Sequence, residues 1–315
     1  MKVYVWAPSN NGTDLNSNVF CFGVERLKSM GFDVVQDGYL NESIDELGIV
    51  SPHHLIDFYD KFLSDKNNIL LPVYGGLTCN LLLQEIIERA CLSDQQLLCG
   101  KSDLTCLLNG MYTYHGIKSL YGIDFSKLCN PHLTKMEVDT IKCAFHRERI
   151  TFYCPKMYND GYWYLGDRED VEHEKWSSFD DSDILKISGV SVGGNLESLC
   201  NLIGTKYLPS FNDKIVVLEA TSDVEPKRFM MNLKHLEMST NISSAKALIF
   251  GKFAPSSRLN HDKTFRKIFD MVFCNLDVPI IYNIDISHTE PSYPFYIGGN
   301  ILIDLLSQKI TISYE

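Results

Sequence analysis

A chain of 315 residues, 45% hydrophobic and 22% charged, is long enough to bury roughly two ordinary hydrophobic cores and has a globular rather than a disordered or fibrous composition. Its formal net charge of −11 excludes a broad affinity for nucleic acid polymers or anionic membranes, which reward surfaces rich in Lys and Arg. Ten cysteines, with no C-x-x-C pair and no zinc-like Cys/His spacing, are expected as reduced, mostly buried thiols of a cytoplasmic protein.

The first stretch, "MKVYVWAPSNNG", has too brief an apolar run before Pro8 for a signal peptide and reads as a β-strand. From there to residue 150, apolar runs alternate with helical patterns: "VYVWAP" and 17–30, "FDVVQ" and "HHLIDFYDKFL", "NILLPVY" and "NLLLQEIIERA", "QLLCG" and "LTCLLNGMYTY". Such βαβα alternation predicts a parallel sheet covered by helices on both faces, a flavodoxin-like or Rossmann-like α/β domain over 1–150. The uncharged stretch 67–84 contains Pro72, Gly75 and Gly76, so it reads as strand, glycine turn and helix rather than as a membrane span. Ligands of such sheets bind at the carboxyl ends of the strands. Three of these ends carry polar or glycine-rich turns, Pro8-Ser9-Asn10, Gly75-Gly76 and Gly100-Lys101-Ser102, and they are expected to converge.

Residues 151–183 form the connection to a second domain. Its part from 155 onward, "PKMYNDGYWYLGDREDVEHEKWSSFDDSD", is acidic and aromatic without clear periodicity and reads as a long loop, a length uncommon unless functional. The second domain, 184–315, shows strand-like "KIVVLEA", "KALIFGKF", "VPIIYNID" and "NILIDLL…KITISYE", with helices near 195–203, 226–238 and 262–274. Its last strands follow one another without helices, which predicts a mixed, β-barrel-like (swivelling) α/β domain.

The segment "LLCGKSDLTCLL" carries the first chemical signal. It is not a P-loop, because Gln95 stands where the first glycine of G-x-x-x-x-G-K-[ST] is needed. It is half of a G-x-S-x-G elbow, with Leu104 in the last position. Ser102 therefore stands at a strand-to-helix junction either as a helix N-cap or as a nucleophile beside free N–H groups. A serine nucleophile needs a base and a group that orients the base. Glu219, at the tip of "KIVVLE", and His288, just after "VPIIYNIDIS", occupy positions suited to those roles. Each alone could equally be a strand-end acid or a surface histidine.

Five segments in order along the chain resemble the serine LD-carboxypeptidases and, within them, the microcin C self-immunity branch. "CGKSDLTCLLNGMYTYHG" resembles the nucleophile segment G-[YF]-S-D-[IL]-T-x-L…G, and "VYGGLTCNLLL" resembles G-G-x-N-S-N-x-L-L. "SVGGNLESLCNLIGTKYLP" is similar to the segment that opens the second domain, "KIVVLEA" to the glutamate strand, and "IDISHTEPSYPFYIGG" to the histidine segment with its H-T-x-P. The resemblance implies Ser102, Glu219 and His288 as a catalytic triad and the backbone of Gly75, Gly76 and Asp103 as the oxyanion site. It also implies Asn195 and Trp163 as substrate-binding residues, Trp163 through the likeness of "YWYLGDREDVEHEKW" to a tryptophan-bearing loop. The sequence departs from the family at Lys101, usually Tyr or Phe, at Thr78, at Ala220 and at Ser287.

These features favour a serine amidase or peptidase acting on a peptidyl- or aminoacyl-nucleotide. The alternative substrate is a muropeptide with an L,D bond, and the alternative of another class is a non-catalytic two-domain protein that binds a small ligand in its cleft. No metal or organic cofactor is implied, and the family resemblance suggests a homodimer.

Overall fold

The computed structural model describes residues 1–10, 15–38, 40, 49–165, 169–179, 186–274 and 276–315. The alternating N-terminal runs form strands β1 (Lys2–Trp6), β2 (Asp33–Gln36), β3 (Asn68–Pro72), β4 (Leu97–Gly100) and β5 (Ser119–Tyr121). All pair in parallel, in the order β2-β1-β3-β4-β5. This is the flavodoxin-like order, in which the chain reverses direction between β1 and β3 and leaves a crevice at their carboxyl ends. Every residue of β3 and β4 is buried, as continuous apolar strands must be when helices cover both faces.

The chain then forms β6 (Ile150–Tyr153), a small antiparallel hairpin of β7 (Met157–Tyr158) and β8 (Val171–Glu172), and β9 (Ser177–Ser178). The stretch 155–179 is thus not one irregular loop. It contains this hairpin, a single 3₁₀ turn at Trp163–Leu165, and an edge strand. The later strands are β10 (Lys186–Asn195), β11 (Lys214–Glu219), β12 (Ala247–Gly251), β13 (Ile280–Ile284), β14 (Phe295–Ile297), β15 (Asn300–Asp304) and β16 (Lys309–Ser313). The expected helices lie at Leu196–Cys200, Pro226–Ser239 and Asp262–Val272.

The second sheet runs β6-β16-β15-β10-β11-β12-β13-β9. Its centre, β10 to β13, is parallel and its flanks are antiparallel. It is mixed, as the sequence predicts, and stays open, with β6 and β9 as its two edges and no closed barrel. Among the described residues, no helix is long and apolar enough to cross a membrane.

Two strands leave the half of the chain they belong to in sequence. β14 pairs antiparallel with β5 and completes the first sheet, while β6 pairs with β16 and edges the second. Phe295 of β14 is fully buried, with its ring 5.3 Å from that of Tyr121.

Truncating Phe295 to Ala is expected to cost about 3–5 kcal/mol, the usual range for a buried aromatic ring. Urea unfolding followed by circular dichroism and by the fluorescence of buried Trp6 and Trp176 checks this. Because β14 comes from the second half of the chain yet pairs in the first sheet, the two signals should move to lower urea together.

Candidate active site

The strand-to-helix junction after β4 is sharply bent. Lys101 is extended, and Ser102 follows with φ of +58°, a left-handed conformation uncommon for a residue with a side chain and concentrated at functional sites. The turn Ser102–Leu104 leads directly into the helix Thr105–His115, and neither takes a side-chain cap hydrogen bond. Ser102 is therefore not an N-cap. Its N–H donates to the Tyr121 hydroxyl at 3.1 Å, and its carbonyl accepts from the Thr105 hydroxyl at 2.5 Å.

Tyr121 links the serine to the second sheet. Its buried hydroxyl donates to Glu219 Oε1 at 2.7 Å, and the other carboxylate oxygen pairs with Nδ1 of His288. With Nδ1 engaged, Nε2 is the ring nitrogen left for a nucleophile, and the imidazole keeps 20% of its surface exposed. Glu219 is 1% exposed. Burial alone would raise its pKa, but His288, Lys101 and the Tyr121 hydroxyl hold it below the ordinary carboxylate range. Among the described residues, no hydrogen bond joins Ser102 Oγ to His288. Nucleophile–base contacts commonly tighten only when substrate binds.

The three expected turns do converge, and Asp103 holds them together. Its buried carboxylate accepts from the Ser9 hydroxyl at 2.7 Å and from the Cys79 N–H at 3.2 Å, so the ends of β1, β3 and β4 meet at one group. Burial pushes the Asp103 carboxyl pKa up, against hydrogen bonds from Ser9 and from the backbone of Cys79 and Gly76. Gly75 lies flat against Ser102, since a Cβ there would come within 2.6 Å of Ser102 Cβ. A Cβ on Gly76 would collide with Ser9 Oγ. Glycine is required wherever backbone comes this close.

The remaining candidates lie around this core. Asn195 ends β10 in register with Glu219 on β11. Its Oδ1 accepts from the Ser198 N–H at 3.2 Å as an N-cap, and its own N–H donates to Thr105 Oγ1 at 2.9 Å. Trp163 is half-buried, packed edge-on to Tyr164 with ring centroids 5.7 Å apart. The two residues before it are tied to the site: Tyr162 bonds the Ser222 hydroxyl, and Gly161 packs on the His288 carbonyl. Trp176, by contrast, is 2% exposed and belongs to the core.

Two groups that the sequence did not single out also position the site. Tyr121 is one, and nothing in "SLYGID" sets it apart from a core aromatic. The other is buried Lys127, whose ammonium bonds both Glu290 oxygens at 3.1 Å and the Ser292 hydroxyl at 3.0 Å, with Glu137 at 3.6 Å. This clamp fixes the segment that follows His288. One ammonium facing two carboxylates leaves Glu290 with a pKa raised by burial and by Glu137 to about 7.

The family departures are mostly absorbed locally. Thr78 donates its N–H to Ser9 Oγ at 3.1 Å, Ser287 bonds Thr289 through hydroxyls 2.6 Å apart, and Ala220 is buried. Lys101 differs, because it is a partly buried cation next to Ser102 in the chain. Burial lowers its pKa against the attraction of Asp124, Glu290 and Glu219.

Residues 3–122 match the N-terminal domain of the LD-carboxypeptidases, and residues 188–303 match their C-terminal domain. The chain belongs to the LD-carboxypeptidase family. A protein of Treponema pallidum (strain Nichols) that carries a carboxypeptidase name is 28% identical over 315 residues, covering 99% of this chain and 92% of its own. The microcin C7 self-immunity protein MccF of Escherichia coli is 21% identical, covering 95% and 89%. Among solved structures, an MccF-like protein of Bacillus anthracis superposes with a TM-score of 0.87 at 24% identity, covering 100% of this chain and 97% of that one. MccF bound to glutamyl sulfamoyl guanosine gives 0.85 at 19% identity, covering 100% and 96%.

In this LD-carboxypeptidase-family protein, replacing Tyr121 by Phe removes one hydroxyl from Glu219 and from the Ser102 N–H. Hydrogen bonds to charged groups contribute about 1.5–3 kcal/mol, so kcat/KM should fall about 10- to 150-fold with the fold retained. Steady-state kinetics and circular dichroism on the same preparation measure both.

Proposed function

We propose that this chain is a serine amidase or peptidase of the microcin C self-immunity type, cleaving the amide or acyl linkage of a peptidyl- or aminoacyl-nucleotide. The observation that carries the reading is the hydrogen-bonded chain from Ser102 through Tyr121 to Glu219 and His288, with the serine on a strained turn. Glu219 fixes the imidazole orientation and stabilises its charged form, as the acid of a triad does. His288 Nε2 takes the Ser102 proton as Oγ attacks the acyl carbon. The developing oxyanion meets the backbone of Gly75, Gly76 and Asp103. His288 then returns the proton to the leaving group, and water, activated by the same imidazole, hydrolyses the acyl-enzyme. Asn195 and Trp163 line the substrate side, with the Trp163 indole available to a nucleobase.

The nucleotide reading draws support from MccF, a structural neighbour whose solved complexes include glutamyl sulfamoyl guanosine and aspartyl sulfamoyl adenosine. The second reading is an LD-carboxypeptidase removing the L,D-linked terminal D-alanine of a muropeptide. It draws support from the family match and from relatives with carboxypeptidase names. That all ten cysteines are free supports a cytoplasmic setting.

Ser102→Ala should leave the melting midpoint unchanged and lower kcat by about 10⁴-fold or more, as loss of a triad nucleophile does. Turnover of an aminoacyl-nucleotide and of an L,D-linked tetrapeptide, read by mass spectrometry, measures this, and full activity in the mutant sinks the serine mechanism. Trp163→Ala separates the substrates. Loss of base stacking costs about 1–3 kcal/mol, so kcat/KM should fall about 5- to 150-fold for the nucleotide and hardly change for the muropeptide. Equal losses on both, with an unchanged melt, would mean that Trp163 acts as a general lid.

A further inference from the structure

A second triad-like chain lies away from Ser102, at the base of the β7–β8 hairpin. Cys154 follows β6 and is partly exposed, with its sulfur 3.5 Å from Nδ1 of His173. On the opposite side of the same ring, Nε2 donates to Asp285 Oδ1 at 2.7 Å, and both side chains of this pair are fully buried. The other Asp285 oxygen accepts from the Trp176 indole N–H at 2.8 Å. Among the described residues, these three form the one group of cysteine, histidine and acid with ligand-type atoms within 4.8 Å of one another. The atoms are spent on each other: Nε2 and Trp176 occupy the carboxylate, and Nδ1 also faces the Glu174 carbonyl. The arrangement is a hydrogen-bonded relay rather than an open metal cradle.

Burial pushes the Asp285 carboxyl pKa up, against the hydrogen bonds and charge of His173 and the Trp176 N–H, and an acid on one ring nitrogen turns the other toward the sulfur. A histidine ring held in this way 3.5 Å from a thiol can take its proton and stabilise the charge as the sulfur attacks. We infer that Cys154 is a reactive thiol, activated by the His173–Asp285 pair, and a site of covalent modification by small electrophiles. Burial opposes protonation of His173, but Asp285 and Cys154 favour it. In alkylation by iodoacetamide, the sulfur lone pair forms the S–C bond, the C–I bond breaks and iodide leaves. The thiol proton passes through His173 to water. Neither Cys154 nor His173 takes part in the chemistry at Ser102.

The test is alkylation of the full native chain by iodoacetamide at pH 7, with each cysteine peptide quantified over time by mass spectrometry. Cys154 in the urea-unfolded chain supplies its unactivated rate. The native rate should exceed that reference, and the rates of the exposed Cys21, Cys91 and Cys274, by about 10-fold. His173→Gln with an unchanged melt should abolish the excess. A native rate at or below the unfolded reference overturns the inference, and so does an excess that survives in His173→Gln. Protection of Cys154 that is relieved by a chelator also overturns it, since the group would then be a metal site.

Discussion

A carboxylate withdrawn from water must find its charge partners inside the protein, and Glu219 is such a group. Its two oxygens are met by one neutral donor, Tyr121, and one ionisable ring, His288, while Lys101 contributes charge from further away. The requirement spans both sheets. Glu219 ends the central strand of the second, Tyr121 lies on β5 of the first, and His288 comes from the segment beyond β13. No one of the three is placed correctly unless the sheets are packed against each other, so the need to satisfy one buried anion sets the relation between the two halves at the catalytic point. A carboxylate kept charged and dry orients an imidazole more firmly than a solvated one does.

Asp103 does similar work on the other side of the serine. It gathers the three strand-end turns through a hydroxyl and a backbone N–H rather than through an ion pair.

Much of this was legible in the sequence because it rests on local pattern. The runs that became β1 to β4 and their helices announce themselves by period, and the three polar turns converge because a parallel sheet sends every such end to one side. Ser102, Glu219 and His288 were visible as strand-end polar residues after apolar runs. The unread parts depend on partners far away in the chain. β5 and β14 have three residues each, too short for any periodicity, and their pairing joins positions about 175 residues apart. The hairpin of β7 and β8 has two-residue strands, so 155–183 looked structureless. Tyr121 has the hydrophobicity of a core residue, and only its hydroxyl's neighbours reveal its role. Cys154, His173 and Asp285 come from three separate elements, and no spacing rule brings them together.

The exchange of edge strands bears on how such a protein can arise and be rearranged. Each sheet borrows a border from the other half of the sequence, β14 in one direction and β6 in the other. A cut anywhere between them leaves two fragments with exposed, unpaired strand edges, the surfaces that invite aggregation. The halves therefore cannot circulate as interchangeable cassettes in the way that beads on a string do. The strands they exchange bind the two halves into one folding unit.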